Sequence, residues 1–297
     1  MKDWDDLRVF LAVARGDSLS SAGRALRMDP ATVGRRVARL EQSMGAPLFG
    51  KSPQGYALTE AGARLVPHAE AAEQAFSMAN EAVRGRSEGL SGQIRIGAPD
   101  GSANFLLPQV CARISDANPD LDLQIVALPR VLNLSRREVD MAITVSPPTA
   151  GRILVQKVSD YHLHLAASDQ YLSENPPIRQ LSDLKGHRVI GYIPDMIFDK
   201  ELDYLADLGL ERVPLASNSV SVQFHWVRTG AGLGVVHDFA MTAASGLRQI
   251  LKDEVSLTRS FYLVRHADDR RLERMNRFAD ALMQGIKEEL VRLEALT

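Results

Sequence analysis

The stretch Ser18-Leu-Ser-Ser-Ala-Gly-Arg-Ala-Leu-Arg-Met-Asp-Pro-Ala-Thr-Val-Gly-Arg-Arg-Val-Ala-Arg-Leu-Glu41 decides the reading of this chain. It reads as two short helices joined by a tight turn. Ser20 is placed to N-cap the first, whose apolar side is Leu19, Ala22, Ala25 and Leu26. Asp29 can N-cap the second, and Pro30 then takes the first helical position, where its missing N–H breaks no bond. Val33, Val37, Leu40 and Met44 recur at spacings of four, three and four and form one buried stripe. At about 100° per residue, Ala31, Gly34, Arg35, Ala38 and Arg39 fall on the opposite side, with Thr32 and Arg36 flanking them. Small residues beside arginines suit a helix lying close to the wall of a DNA groove, where arginine forks onto guanine or pairs with phosphate. The competing reading is a solvated basic face on an ordinary helix.

The flanking segments favour the first reading. Leu7, Phe10, Leu11 and Ala14 predict an amphipathic helix over Asp3 to Ala14. Beyond Met44, the run to Leu58 predicts a short hairpin around Pro53 and Gly55, a wing. The blocks Ala25-Leu26, Arg39-Leu40-Glu41, Gly45, Leu48-Phe49 and Leu58-Thr59-Glu60-Ala61-Gly62 follow in order. In these blocks the chain resembles the N-terminus of the LysR-type transcriptional regulators. The resemblance extends over the whole length and layout, and its specific motifs lie in the first quarter.

With that resemblance, Thr32, Arg35 and Arg36 are the candidates for base or near-base contact, and Arg39, Lys51 and Gln54 for phosphate. Ser20, Pro30 and Ala31 complete the candidate DNA-facing set. The chain departs from the family pattern in three places. Asp29-Pro30-Ala31 stands where Ser-Gln-Pro is frequent, Gly34 precedes Arg35 in place of serine, and Gly50-Lys51 follows Leu-Phe in place of arginine.

Charge is distributed as this layout requires. The formal net charge is −2, yet Arg24 to Lys51 carries six cations against two carboxylates, an excess of four, so the remainder has a net charge of −6. A basic end on an acidic body fits a DNA-binding module joined to a part that does not touch DNA, and argues against a general nucleic-acid coat protein. A length of 297 residues suits two or three compact units. The single cysteine, Cys111, excludes an intrachain disulfide framework, fits a reducing cytoplasm and reads as core packing rather than a redox sensor. The N-terminus is acidic and amphipathic, unlike a signal peptide, and no apolar run approaches membrane-spanning length. A cytoplasmic protein is expected.

Residues 59 to 86 predict a long linker helix that Thr59 can cap. Leu65, Ala69, Ala72, Phe76, Ala79 and Val83 form a heptad seam. The seam calls for a partner, either this helix from a second chain or the helix's own domain. Family members dimerise through such a helix, so the resemblance implies a homodimer, or a tetramer. Pro67 should bend the helix near its start. Residues 87 to 92, rich in serine and glycine, read as a hinge.

From residue 93 strands alternate with helices, which predicts a mostly parallel sheet covered by helices. Strands are expected at Gln93–Gly97, Leu121–Leu128, Asp140–Thr144 and Arg188–Tyr192. Helices are expected at Phe105–Ile114, Leu132–Glu138 and about Arg270–Leu296. The fold class is therefore α/β: a winged helix-turn-helix over 1–58, a linker helix over 59–86, and an effector domain over 93–297. The resemblance implies two α/β lobes like those of periplasmic solute-binding proteins. One would span about 93–161 and 266–297, the other about 162–265, with crossings near Asp160–Leu165 and Phe261–Arg265.

A small-molecule effector would lie at the carboxyl ends of strands, near helix N-termini. The candidates are Asp100 and Ser102, Thr144 and Ser146, Asn218 and Ser219, and His237. Asp100 favours a cationic, zwitterionic or hydroxylated effector.

Catalysis finds little support. His162 and His164 share a strand face and could begin a metal site, but no third ligand is spaced to complete it, so they read as structural. Gly230-Ala-Gly-Leu-Gly234 lacks dinucleotide-loop spacing, and no nucleophile elbow or Walker loop occurs. No cofactor or metal is expected. A ligand-binding or enzymatic α/β protein that uses its N-terminal module for protein contact is the alternative.

Overall fold

In the computed structural model, which describes residues 4–16, 18–52, 55–84, 89–127, 139–149, 151–205, 208–210 and 212–297, the first three helices are α1 (Trp4–Gly16), α2 (Leu19–Leu26) and α3 (Pro30–Met44). Ser18, not Ser20, caps α2: its hydroxyl accepts from the Ser21 N–H at 3.1 Å, and Ser20 is exposed in the first turn. The α3 start is as read, with Asp29 accepting from Ala31 and Thr32 and with Pro30 in the first turn. The turn between the helices requires left-handed backbone at Arg27 (φ 53°), whose N–H closes onto Arg24.

The stripe Val33, Val37, Leu40 is buried against Leu7, Phe10 and Leu11 of α1. Met44 does not join it and is 38% exposed, at the last position before Gly45 ends α3 in left-handed conformation. Ala25, expected on the apolar side of α2, is exposed as well. Gly23 is the close-approach residue: a Cβ there would meet the Met28 carbonyl oxygen at 2.6 Å.

The family motifs turn out to be joints. Glu41 accepts from the N–H groups of Leu48 (2.7 Å) and Phe49 (3.1 Å), fixing the entry to the wing strands β1 (Phe49–Ser52) and β2 (Gly55–Leu58). Thr59 caps α4 (Glu60–Arg84), accepting from Gly62 at 3.0 Å while donating to the Pro47 carbonyl at 2.7 Å. Within α4 the heptad seam divides. Leu65, Ala69 and Ala72 pack on the core of their own unit, and Arg15 of α1 forks onto Glu73. Phe76 reaches Trp4 (ring centroids 6.1 Å apart) yet stays 56% exposed, and Ala79 is exposed. The Val83 side chain lies outside the described set.

The described residues fall into two compact units: one comprises the residues through α4 together with Asp268–Leu272, the other the rest of the chain from Gly89. In the second, β3 (Gly92–Ala98), β4 (Leu121–Ala127) and β5 (Met141–Thr144) form a parallel trio with β3 in the middle. β7 (Val189–Gly191), β8 (Leu215–Ala216) and β9 (Leu233–His237) form a second trio, again with the first strand in the middle. Two long antiparallel strands, β6 (Ile153–Ser168) and β11 (Ser256–His266), join the trios into one sheet, with β10 (Leu247–Gln249) on β6. The β6–β11 register shifts between Phe261 and Tyr262, a bulge midway between the trios.

Helices cover this sheet: α5 (Asp100–Phe105), α6 (Leu107–Asp116), α7 (Asp169–Glu174), α8 (Val220–Arg228), α9 (Asp238–Met241) and α10 (Glu273–Glu294). The expected helix at Phe105–Ile114 is two, starting earlier at Asp100, because Pro108 has no N–H to bond back into α5. The helix expected at Leu132–Glu138 lies outside the described residues. Glu289 of α10, almost fully buried, takes Arg113 of α6 (2.8 Å) and Arg292 (2.6 Å), and the Arg292 bond leads in holding its carboxyl below the usual range. Cys111 sits inside α6, where burial pushes its thiol up to about 11, so it is inert at neutral pH. Among the described residues no helix is long and apolar enough to cross a membrane.

Candidate functional site

The exposed side of α3 divides its arginines into two kinds. Arg36 pairs with Asp5 and lies 3.6 Å from Asp6, and Arg39 forks onto Asp6. Asp6 is buried, so the pair fixes Arg39 from below while its guanidinium remains half exposed. The Arg8 hydrogen bond, followed by the charges of Arg8 and Arg36, holds the Asp5 carboxyl below the usual range. Arg35 is exposed and has no carboxylate partner among the described residues; it donates to Thr32 Oγ1 at 2.9 Å. Thr32 and Arg35 thus form one polar unit near the start of α3, with Ala31 and Pro30 exposed beside them.

Two features of this surface correct the sequence picture. Gly34 does not face outward, since a Cβ on it would meet Leu19 Cδ1 at 3.2 Å; it lets α2 approach α3. The acidic start of α1 neutralises part of the basic face, which no spacing within the helix-turn-helix reveals. Lys51 lies in β1 with its side chain outside the described set, and Gln54 is outside the described residues.

The second candidate site lies where the two trios meet at the carboxyl ends of β3, β5 and β9. In such sheets the point beyond the strand ends is where ligands bind. Asp100 follows β3 and caps α8: Oδ2 accepts from Ser219 Oγ (3.0 Å) and from the Ser221 N–H (2.8 Å), and Oδ1 accepts from Asn104 (3.1 Å). Ser219 is itself the N-cap of α8. Ser146, just past β5, bonds to Asp199, and Thr144 donates to the Ser146 carbonyl at 2.8 Å. Ser102 is buried and returns its hydroxyl to the Pro99 carbonyl at 3.0 Å. Asn218 is half-buried beside the α8 cap.

His237 ends β9 against α5, since a Cβ on Gly101 would stand 3.3 Å from its Cε1. It stacks on Tyr161 of β6 (centroids 5.6 Å apart) and meets the Tyr204 hydroxyl at 3.5 Å through Nε2. Burial pushes His237 down to about 3, so the ring is neutral at physiological pH. Burial likewise pushes the Tyr161 hydroxyl up, and it remains protonated. Three buried polar atoms in this neighbourhood have no hydrogen-bond partner among the described residues: Tyr161 Oη, Ser221 Oγ and His237 Nδ1. Tyr161 and Tyr204 escaped the sequence reading, because neither stands in a motif or polar run, whereas Ser221 belongs to the polar run Asn218 to Ser221 that marks the start of α8.

His162 and His164 each hold a carboxylate from a distant element, Glu294 of α10 at 2.7 Å and Asp238 of α9 at 2.9 Å. Among the described residues no group of three or more His, Cys, Asp or Glu is arranged to hold a metal.

Comparison with known proteins places both units in one family. A family model described as "Bacterial regulatory helix-turn-helix protein, lysR family" matches residues 4–63, and one described as "LysR substrate binding domain" matches residues 87–287. The chain is 24% identical to the HTH-type transcriptional regulator CrgA of Neisseria meningitidis serogroup C (strain 8013), covering 96% of this chain and 98% of CrgA. It is also 24% identical to the HTH-type transcriptional regulator DmlR of Escherichia coli (strain K12), covering 84% of this chain and 83% of DmlR. Among solved structures, full-length LysG from Corynebacterium glutamicum with bound effector Arg superposes with a TM-score of 0.62 at 22% identity, covering 96% and 98% of the two chains. The chain belongs to the LysR family of transcriptional regulators: it carries a helix-turn-helix DNA-binding domain and an effector-binding domain, and it is a regulator and not an enzyme.

Proposed function

We propose that α3 enters the DNA major groove with Thr32 and Arg35 toward the bases, and that a small effector binds where β3, β5 and β9 end. Residues 1–58 bind DNA, 59–86 form the dimerisation helix, and 87–92 the hinge. Residues 93–297 bind effector through lobes of about 93–161 with 266–297, and about 162–265. The exposed half of the α4 seam, from Phe76 onward, meets the same helix of a second chain, giving a dimer, or a tetramer built from two dimers. The protein works in the cytoplasm, where operator DNA is found.

The observation that carries the effector reading is the set of three unsatisfied buried polar atoms at the strand ends. Such groups are rare in folded proteins, and each costs about 1–3 kcal/mol unless a partner arrives. Two are hydroxyls and one belongs to a neutral imidazole. Asp100 already spends both oxygens within the protein. This chemistry suits a hydroxylated or zwitterionic effector better than a simple organic anion. The Asp100–α8 and Ser146–Asp199 bonds join the two trios, so an effector that breaks or reinforces them biases one arrangement of the lobes over another.

Thermal melting of the full chain against amino acids, hydroxy acids and sugars tests the site. One of these classes should raise the melting point of the wild type, with the rise lost in Ser221→Ala and Tyr161→Phe. A ligand that stabilises both variants as much as the wild type would place the effector elsewhere.

A further inference from the structure

A cavity of about 350 Å³ opens inside the β7–β9 half of the second unit. Its walls among the described residues are β7, Val235 of β9, Gln223 of α8, residues between Tyr192 and Leu205, and Gly209, Leu210 and Val213. Of the side chains gathered at the effector site, Tyr204 also lines it, whereas Asp100, Ser102, Thr144, Ser146, Asn218, Ser219, Ser221 and His237 do not. The lining is aliphatic, with Ile190, Ile197, Leu205 and Val213 prominent, and is closed at one side by the rings of Tyr192 and Tyr204. Those rings meet edge to face with centroids 5.7 Å apart, and burial pushes both hydroxyls up, so they stay neutral. Gly191 lets the wall come close: a Cβ there would stand 2.7 Å from Leu205 Cδ1.

The volume lies in the range of small-molecule pockets and far above the size of packing defects. An apolar wall gives water few partners, and an empty cavity forfeits dispersion contacts on every side. No Lys, Arg or His lines the space, and Asp203 is its one charged residue among the described lining. An organic anion would find no counter-charge and would face a carboxylate. Gln223, buried, already donates its amide to the Ser217 carbonyl at 2.7 Å, which fixes the side chain at the rim.

We propose that this cavity is a second ligand site, bordering the effector cleft at Tyr204, for a compact, neutral, largely aromatic or aliphatic molecule bearing one hydrogen-bonding group. The tyrosine hydroxyls and Gln223 are the groups that would meet that polar end. Tyr204 is shared between the two sites, since its hydroxyl also faces His237.

The test is calorimetric titration of the full chain with 2-naphthol, and with 2-naphthoate as a charged counterpart of similar shape. 2-Naphthol should bind saturably and the carboxylate about tenfold or more weakly. Leu205→Trp and Val213→Phe add bulk from half-exposed wall positions and should each weaken 2-naphthol by about tenfold or more. Ser221→Ala, which alters the cleft alone, should leave it unchanged. Nuclear Overhauser contacts from bound 2-naphthol to the methyls of Ile190 and Val235 in the wild type give a readout that needs no variant. Absence of saturable binding, indifference to both filling variants, or loss of binding in Ser221→Ala would each overturn the proposal.

Discussion

Replacing Arg35 by alanine separates DNA recognition from folding. Arg35 is exposed, and its bond to Thr32 is an exposed contact one turn away, so stability should change by no more than about 0.5 kcal/mol. A bidentate arginine–guanine contact is worth about 1–3 kcal/mol of discrimination. With one copy in each half-site of the proposed dimer the loss becomes about 2–6 kcal/mol, or about 30-fold at the low end and more than about 10,000-fold at the high end. Arg39→Ala should behave differently. It strips the buried Asp6 of its forked partner, leaving Arg36 at 3.6 Å, and should destabilise the unit by about 1–3 kcal/mol while weakening DNA less. The assay is retardation of DNA from upstream of its own gene at about 0.15 M salt, with urea unfolding in parallel. Arg35→Lys sharpens it, because lysine keeps the charge and loses the fork. Unchanged retardation by Arg35→Ala would refute the groove assignment, and full affinity in Arg35→Lys would reduce Arg35 to a phosphate contact.

Ser18→Ala should lower urea stability by about 0.5–2 kcal/mol, whereas Ser20→Ala should stay within about 0.5 kcal/mol, since the cap is the former. Gly23→Ala forces the Met28 carbonyl away from a 2.6 Å approach and should destabilise the helix-turn-helix by about 1–3 kcal/mol in the same assay. Tyr161→Phe removes a buried hydroxyl without a partner and should raise the melting point of the ligand-free protein, by about 1 kcal/mol in stability. His237 is held down to about 3, so below about pH 6.5 the unfolded chain takes up a proton that the folded chain refuses. Its contribution to stability is therefore complete above that pH and falls by about 1.4 kcal/mol per unit as pH drops toward 3. Urea midpoints at pH 7 and pH 5 should show a slope that shrinks in His237→Gln.

The sequence alone determined what depends on neighbours along the chain. Asp29 and Pro30 announce the start of α3, the four-three-four spacing marks Val33, Val37 and Leu40 as core, and alternating strand and helix patterns identify the α/β unit. These are local rules of capping and periodicity, so they survive without coordinates. Where two local solutions compete, as between Ser18 and Ser20, the backbone path into the helix decides, and that path is set by packing. Tertiary structure also decided every contact between distant segments. Asp5 and Asp6 tie Arg36 and Arg39 across more than thirty residues, which leaves Arg35 as the α3 arginine without a carboxylate among the described residues. The same dependence divides the α4 seam, because α1 covers Leu65, Ala69 and Ala72 but leaves Phe76 exposed. Asp100 reads in sequence as a negative charge awaiting a ligand, and in the fold it is the cap of α8, more than a hundred residues away. The proposed effector site at Tyr161, Ser221 and His237 exists only in the fold, where three separate elements come to one point with polar atoms that have no partner among the described residues. Burial and pairing are properties of distance in space, and sequence separation carries almost no information about that distance once the chain has turned back on itself.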